Sequence, residues 1–169
     1  MLNTATSFLA LLQEEDVDIK SVALDKLNIL VDEYWAEISD YISEFENLYK
    51  RKEIPVKQEL ISLILSKIYY NLEDYDSAIE WALEAGSKFN ILEKSQYVNT
   101  ILQRIIEKYI GFRKQNFFNQ EEKEPIDERI TRIVETIFNK CVEKKEVNQA
   151  IGFSLESFDL ERVNHKKLI

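Results

Sequence analysis

Apolar residues recur at steps of three and four along almost the whole chain, the spacing that gathers side chains on one face of an α-helix. Phe8, Leu9, Leu11 and Leu12 form the first set, behind Thr4 or Thr6 as an N-cap and ahead of the polar run Glu14-Glu15-Asp16. A second helix is predicted from Val17 to about Val31, with Ile19, Val22, Ala23, Leu27 and Leu30 on its apolar face and Asp16 or Asp18 as its cap. After a break expected near Asp32, a third carries Tyr34, Trp35, Ile38, Tyr41, Ile42, Phe45, Leu48 and Tyr49. It closes on Lys50-Arg51-Lys52, where positive charge suits the negative end of the helix dipole. The break holds neither Gly nor Pro, so one continuous bent helix stays open as an alternative.

Pro55 opens a fourth helix, since a missing N–H is harmless in the first turn, and Leu60, Leu63, Ile64 and Ile68 follow before the polar tip Glu73-Asp74. A fifth, Tyr75 to Ala85, is stopped by Gly86. The sixth begins near Ser95 and keeps Val98, Ile101, Leu102, Ile105, Ile106 and Tyr109 in register. Asn116 to Glu124 reads as the longest loop, and Pro125 opens a seventh helix with Ile126, Ile130, Ile133, Val134, Ile137, Phe138 and Cys141. A shorter one, Val147 to Phe158, is expected to pair with it, and a further helical pattern runs from Leu160 to Ile169.

Ala78-Ile79 with Leu83-Glu84 recurs as Ala150-Ile151 with Leu155-Glu156, a separation of 72 residues, close to two units of a ~34-residue helical-hairpin repeat. In the first copy Leu65, Tyr69, Tyr75, Ala78 and Ala85 take the packing positions of a tetratricopeptide-like hairpin, the small Ala78 letting two helix axes approach. In the second, Ile137, Cys141, Val147 and Ala150 correspond, with Ser157 in the place of Ala85. Ser66 stands where such repeats carry glycine, and no tryptophan falls within Gln58 to Ser62. The expected fold is all-α, a tetratricopeptide-like α-solenoid of antiparallel helical hairpins over residues 1–169. Each hairpin would leave one apolar face for a neighbour to cover, and the pattern from Leu160 reaches Ile169 with no capping unit, so the chain is expected to be a fragment of something longer.

Composition agrees with long helices and terse connections: 169 residues hold only 3 Gly and 2 Pro. The formal net charge of −9 repels phosphate backbones and anionic lipid, which argues against nucleic-acid and membrane-surface partners. No window nears the ~18–20 apolar residues of a membrane span, and Met1 to Leu12 lack the basic start and long apolar run of a secretory signal. With a single cysteine besides, the expected setting is soluble and intracellular.

The residues that bear chemistry are few. A nucleophile would need a histidine base, and the one histidine, His165, sits among Asn164, Lys166 and Lys167 as a solvated side chain would. Cys141 continues an apolar helical stripe and reads as buried, and one Cys with one His leaves zinc without ligands. The carboxylates Glu14, Glu15, Asp16, Asp18 and Glu121, Glu122, Glu124 lack calcium-loop spacing and read as caps and loop charge. Gly86, Gly111 and Gly152 are isolated, so no phosphate loop is present. Trp35, Trp81, Tyr69, Tyr70 and Tyr75 lie at packing spacings. Phe117-Phe118, two aromatics in an otherwise polar stretch, is the candidate partner contact. No catalytic residue, cofactor, metal or small-molecule substrate is expected.

Several blocks carry a family resemblance: Ala23-Leu24-Asp25-Lys26-Leu27-Asn28 with Trp35-Ala36-Glu37-Ile38-Ser39, Ser66-Lys67-Ile68-Tyr69-Tyr70-Asn71-Leu72, and Ala82-Leu83-Glu84-Ala85-Gly86 with Phe89-Asn90. Pro125-Ile126-Asp127-Glu128-Arg129 and Gln149-Ala150-Ile151-Gly152 with Leu155-Glu156 continue them in order to about residue 163. In these the chain resembles the N-terminal segment of the large non-ATPase scaffold subunit, with proteasome/cyclosome repeats, in the base of the 26S proteasome regulatory particle. The resemblance implies a rod-like helical solenoid that precedes the repeat ring and helps join base to lid. It also implies a protein of cytoplasm and nucleus, without catalysis of its own, that supports ubiquitin-dependent protein degradation by positioning other subunits. The repeat ring and the receptor-recruiting C-terminal tail of that family have no counterpart here, so receptor binding is not implied for this segment. The alternative from the residues is a free-standing adaptor whose hairpin groove grips short peptides; the first helices of the pairs offer it Lys67 and little else.

Overall fold

The computed structural model describes residues 5–119 and 125–144 together with Gly152 and Ser157. These residues form seven α-helices and no strand, which makes the protein all-α as the periodicity predicts. In chain order they are α1 (Ala5–Leu11), α2 (Val17–Ser39), α3 (Ile42–Arg51), α4 (Gln58–Asn71), α5 (Tyr75–Glu84), α6 (Gln96–Phe118) and α7 (Glu128–Glu143). Single 3-10 turns stand at Pro55–Lys57 and Gly86–Lys88. The chain divides into two compact units, Met1–Ile101 and Leu102–Ile169.

Several helix ends follow local chemistry. Asp16, not Asp18, caps α2, its Oδ1 accepting from the N–H of Asp18 at 2.8 Å and of Ile19 at 3.3 Å. Asp74 accepts from Ser77 N–H to start α5, and Ser95 Oγ accepts from Val98 N–H at the start of α6. Gly86 takes a φ of +51°, and a Cβ there would stand 2.9 Å from the Glu59 carboxyl, so this stop requires glycine.

Four boundaries differ from expectation. Near Asp32 the helix runs on and bends, the alternative left open there, with a kink at Tyr34 (φ −109°, ψ 25°), and the break lies instead at Asp40-Tyr41, inside the stretch expected to be one third helix. With no Gly or Pro near Asp32, nothing local ends the helix there. Pro55 opens a 3-10 turn rather than α4 itself, and α7 starts three residues after Pro125, where Asp127 accepts from Arg129 N–H at 2.8 Å. The stretch from Asn116 begins in helix, since α6 runs through Phe118. The expected helix from Val147 and the pattern from Leu160 lie outside the described residues, apart from Gly152 and Ser157.

In the first unit α4 is the hub, touching α2, α3 and α5. It buries Leu60, Ile61, Ile64, Leu65 and Ile68 together with Ser62 and Ser66, so its buried surface extends well round the helix, as a central helix requires. α2 meets α4 and α1 with Ala23, Leu24, Leu27, Val31 and Ile38, all fully buried. Of the predicted apolar face of α2, Ala23 and Leu27 are fully buried and Leu30 packs against the core, while Ile19 and Val22, at its edge, are 39% and 57% exposed. Phe45 of α3, fully buried, joins this core, and a side chain of its kind contributes about 1.5–3 kcal/mol by leaving water.

The three-residue link between α4 and α5 makes them a helical hairpin. Their axes meet at small residues: Ser66 and Ala78 are both fully buried, and Ser66 Oγ donates to the Ala78 carbonyl at 2.6 Å.

In the second unit Ile105 and Tyr109 of α6 are buried four residues apart, and so are Ile130, Val134 and Phe138 of α7. Ser157 is fully buried, as is Ala85 in the corresponding place of the proposed repeat, and its carbonyl accepts from Arg113 Nε at 3.3 Å.

Candidate interaction surfaces

Ser66 organises the polar interior of the first unit. Its one hydroxyl proton goes to Ala78, so the Tyr97 hydroxyl, 2.7 Å away, donates to Ser66 Oγ. Burial pushes the Tyr97 hydroxyl above the ordinary tyrosine range, which keeps that proton in place. Tyr70 and Phe89 pack edge-on against the Tyr97 ring, with centroids at 5.3 Å and 6.0 Å. Burial, then the bond it donates to Glu46 at 3.0 Å, raises the Tyr69 hydroxyl to about 12.

Beside this node lies a groove of about 370 Å³, lined among others by Asp25 and Asn28 of α2, Leu63 and Lys67 of α4, Lys88, and Tyr97. Lys67 Nζ pairs with Asp32 at 2.8 Å, and Lys57 Nζ pairs with Asp25. Asn28 Oδ1 is buried and accepts no hydrogen bond from the described residues. Lys67 is the one lining residue that the sequence offers to a groove; Asn28 appears there only within a family-like block, because nothing in its local pattern places it opposite α4.

Phe117 and Phe118 occupy the last turn of α6 rather than a loop. They are 52% and 70% exposed, and their rings meet edge-on at 5.3 Å. The preceding polar residues Lys114, Gln115 and Asn116 lie within the helix, Lys114 and Gln115 exposed and Asn116 half-buried, so their polarity does not mark a chain break.

The aromatic residues read as packing do pack. Trp81 meets Tyr49 edge-on at 5.0 Å, and Tyr70 meets Tyr75 at 6.2 Å, while Trp35 is half-buried against the core. Cys141 is half-buried on α7. His165, Glu121, Glu122 and Glu124 lie outside the described residues. Among the described residues no three His, Cys, Asp or Glu side chains converge as a metal ion would need, and no helix is long and apolar enough to cross a membrane. Lys20, hydrogen-bonded at 2.8 Å, holds the Glu53 carboxyl below its usual range, and Arg129 does the same for Asp127.

Comparison with known proteins places this architecture. The family model described as "26S proteasome subunit RPN2, N-terminal domain" matches residues 3–167. The chain is 42% identical to the 26S proteasome regulatory subunit RPN2 of Eremothecium gossypii over 96% of its length, and 39% identical to that of Saccharomyces cerevisiae over 95%. It is 38% identical over 95% to the 26S proteasome non-ATPase regulatory subunit 1 of Dictyostelium discoideum. The chain spans only 17%, 17% and 16% of the length of these curated relatives. It belongs to the family of the N-terminal domain of the 26S proteasome subunit RPN2.

Proposed function

We infer that the chain is a non-catalytic scaffold segment of the proteasome regulatory particle, which supports ubiquitin-dependent degradation by holding other subunits in place. The observation that carries this reading is the family match across residues 3–167. The relatives are named as regulatory subunits, and a helical hairpin locked by small buried residues suits a part that presents rigid surfaces. The hairpins stack as a tetratricopeptide-like solenoid within one continuous segment of a longer protein; the α4–α5 hairpin and the buried small residues Ala78, Ala85 and Ser157 support this. Its partners are lid and base subunits, in cytoplasm and nucleus, with no nucleic acid, membrane or small-molecule substrate among them.

Phe117 and Phe118 serve this role as a partner contact, since two adjacent aromatics 52% and 70% exposed carry enough apolar area to anchor an interface. Affinity purification of the tagged chain from a cell lysate tests both statements. Regulatory-particle subunits should elute with the wild type, and several-fold less should elute with Phe117→Ser combined with Phe118→Ser at unchanged helicity. Recovery of no regulatory-particle subunit contradicts the scaffold role, and undiminished recovery by the double variant contradicts the contact.

A further inference from the structure

Gly111 stands in the middle of α6, and nothing in its surroundings accounts for it. Its φ is not positive, and a Cβ placed there would meet no atom within 4 Å. A glycine inside a helix weakens it relative to alanine; what it gives in return is a left-handed turn or room for another group to approach the backbone. The first does not apply to Gly111, and the room it leaves is open to solvent.

The residues around it are arranged to receive a partner helix. Positions i, i+3, i+4 and i+7 of a helix bound the hole into which a knob from a facing helix fits. Gly111, Lys114, Gln115 and Phe118 stand at those positions, and all four are exposed. Phe118, 70% exposed, supplies an apolar wall, and the missing side chain of Gly111 deepens the hole for a large knob.

The charge of this face selects the partner. The chain as a whole carries −9, yet from Arg104 to Phe118 it holds Arg104, Lys108, Arg113 and Lys114 against the single carboxylate Glu107. Glu107 already accepts from Gln103 at 3.0 Å and from Arg104 at 3.3 Å, and Arg113 turns to the Ser157 carbonyl. Lys114 at the hole and Lys108 a turn before it give the face a positive rim. A second copy laid face to face would set lysine against lysine, and a nucleic acid would meet an acidic chain beyond this short rim. An acidic helix meets neither obstacle.

We propose that this face of α6 docks an amphipathic helix of a partner protein, which sets a bulky apolar side chain over Gly111 against Phe118 and carries Asp or Glu beside that knob to meet Lys108 and Lys114. This rests on the reading of Phe118 as a partner contact and adds the chemistry of the partner.

A phage-displayed library of helical peptides, randomised on one face, is panned on the intact 169-residue chain. Selected peptides are labelled and titrated by fluorescence anisotropy against wild type, Gly111→Leu, Lys114→Glu and Phe118→Ser. They should carry a large apolar residue flanked by acids, and each variant should weaken their binding about tenfold or more. Leucine suits a helix better than glycine, so the urea midpoint of Gly111→Leu should hold or rise while its binding falls. Selection of no peptide or of basic peptides overturns the proposal, as does tighter binding of an oligothymidine strand. Binding lost with Phe118→Ser but kept with Gly111→Leu and Lys114→Glu overturns it too, and leaves the aromatic contact standing, so the two failures are told apart.

Discussion

Replacing Ser66 by alanine takes one hydroxyl from the middle of α4 and disturbs two partners. The Ala78 carbonyl loses the bond it accepts at 2.6 Å, and the Tyr97 hydroxyl, on a residue only 8% exposed, loses the acceptor 2.7 Å away. A neutral hydrogen bond contributes ~1 kcal/mol net, and a buried hydroxyl left without a partner costs about 1–3 kcal/mol, so Ser66→Ala should destabilise the chain by about 2–3 kcal/mol. Tyr97→Phe alone leaves Ser66 bonded to Ala78 and should cost about 1 kcal/mol. With both changes no hydroxyl remains to be satisfied, and the double variant should be more stable than the sum of the singles predicts by about 1–2 kcal/mol. Equilibrium urea unfolding followed by far-ultraviolet circular dichroism measures all three. The reasoning fails if Ser66→Ala unfolds within about 0.5 kcal/mol of wild type, or if the two single effects simply add.

Two glycines should respond in opposite directions. Gly86→Ala forces a Cβ into a φ of +51° and toward the Glu59 carboxyl at 2.9 Å, at about 1–2 kcal/mol, whereas Gly111→Ala, in open space on α6, should stabilise by about 0.5–1 kcal/mol; urea midpoints that move together would contradict this. Alkaline pH should destabilise the fold. Tyr97 and Tyr69 keep their protons longer when folded, Tyr69 to about 12, so their contribution is complete below the unfolded tyrosine value near ~10 and fades as pH rises beyond it. The urea midpoint should therefore hold up to about pH 10, fall between about pH 10 and about pH 12, and fall less in Tyr97→Phe. At the acid end, the Lys20 bond to Glu53 should be lost as pH drops below the ordinary carboxylate range of ~4, visible as a smaller effect of Glu53→Gln at low pH than at neutral pH.

Helix ends marked by a capping side chain or a glycine were readable from sequence, because each acts within one turn, whereas Pro55 and Pro125 stand three residues ahead of the helices they announce. Asp16, Gly86 and Ser95 are of the first kind, and the structure places boundaries at each. The break at Asp40-Tyr41 has no such marker. It arises from how α2 and α3 reach α4, which is tertiary information. Likewise the periodicity of α2 gathers Ile19, Val22, Ala23, Leu27 and Leu30 on one face, but that Ala23 and Leu27 are buried while Ile19 and Val22 stay exposed depends on where α1 and α4 sit.

Ser66 reads in sequence only as a departure from glycine, and its reason appears once Ala78 and Tyr97 stand beside it. The groove was almost invisible for the same cause. Asn28, Lys67 and Asn90 are far apart in the chain, and only the packed helices bring them to one surface.

The scaffold role is tested most directly by exchange. Residues 1–169 of this chain replace the matching segment of the Saccharomyces cerevisiae relative, to which they are 39% identical, and cell extracts are resolved on native gels. Lid and base should migrate together as the assembled particle, and a ubiquitin-tagged reporter should be degraded. Separate lid and base species with a stable reporter, at normal abundance of the exchanged subunit, would contradict the role.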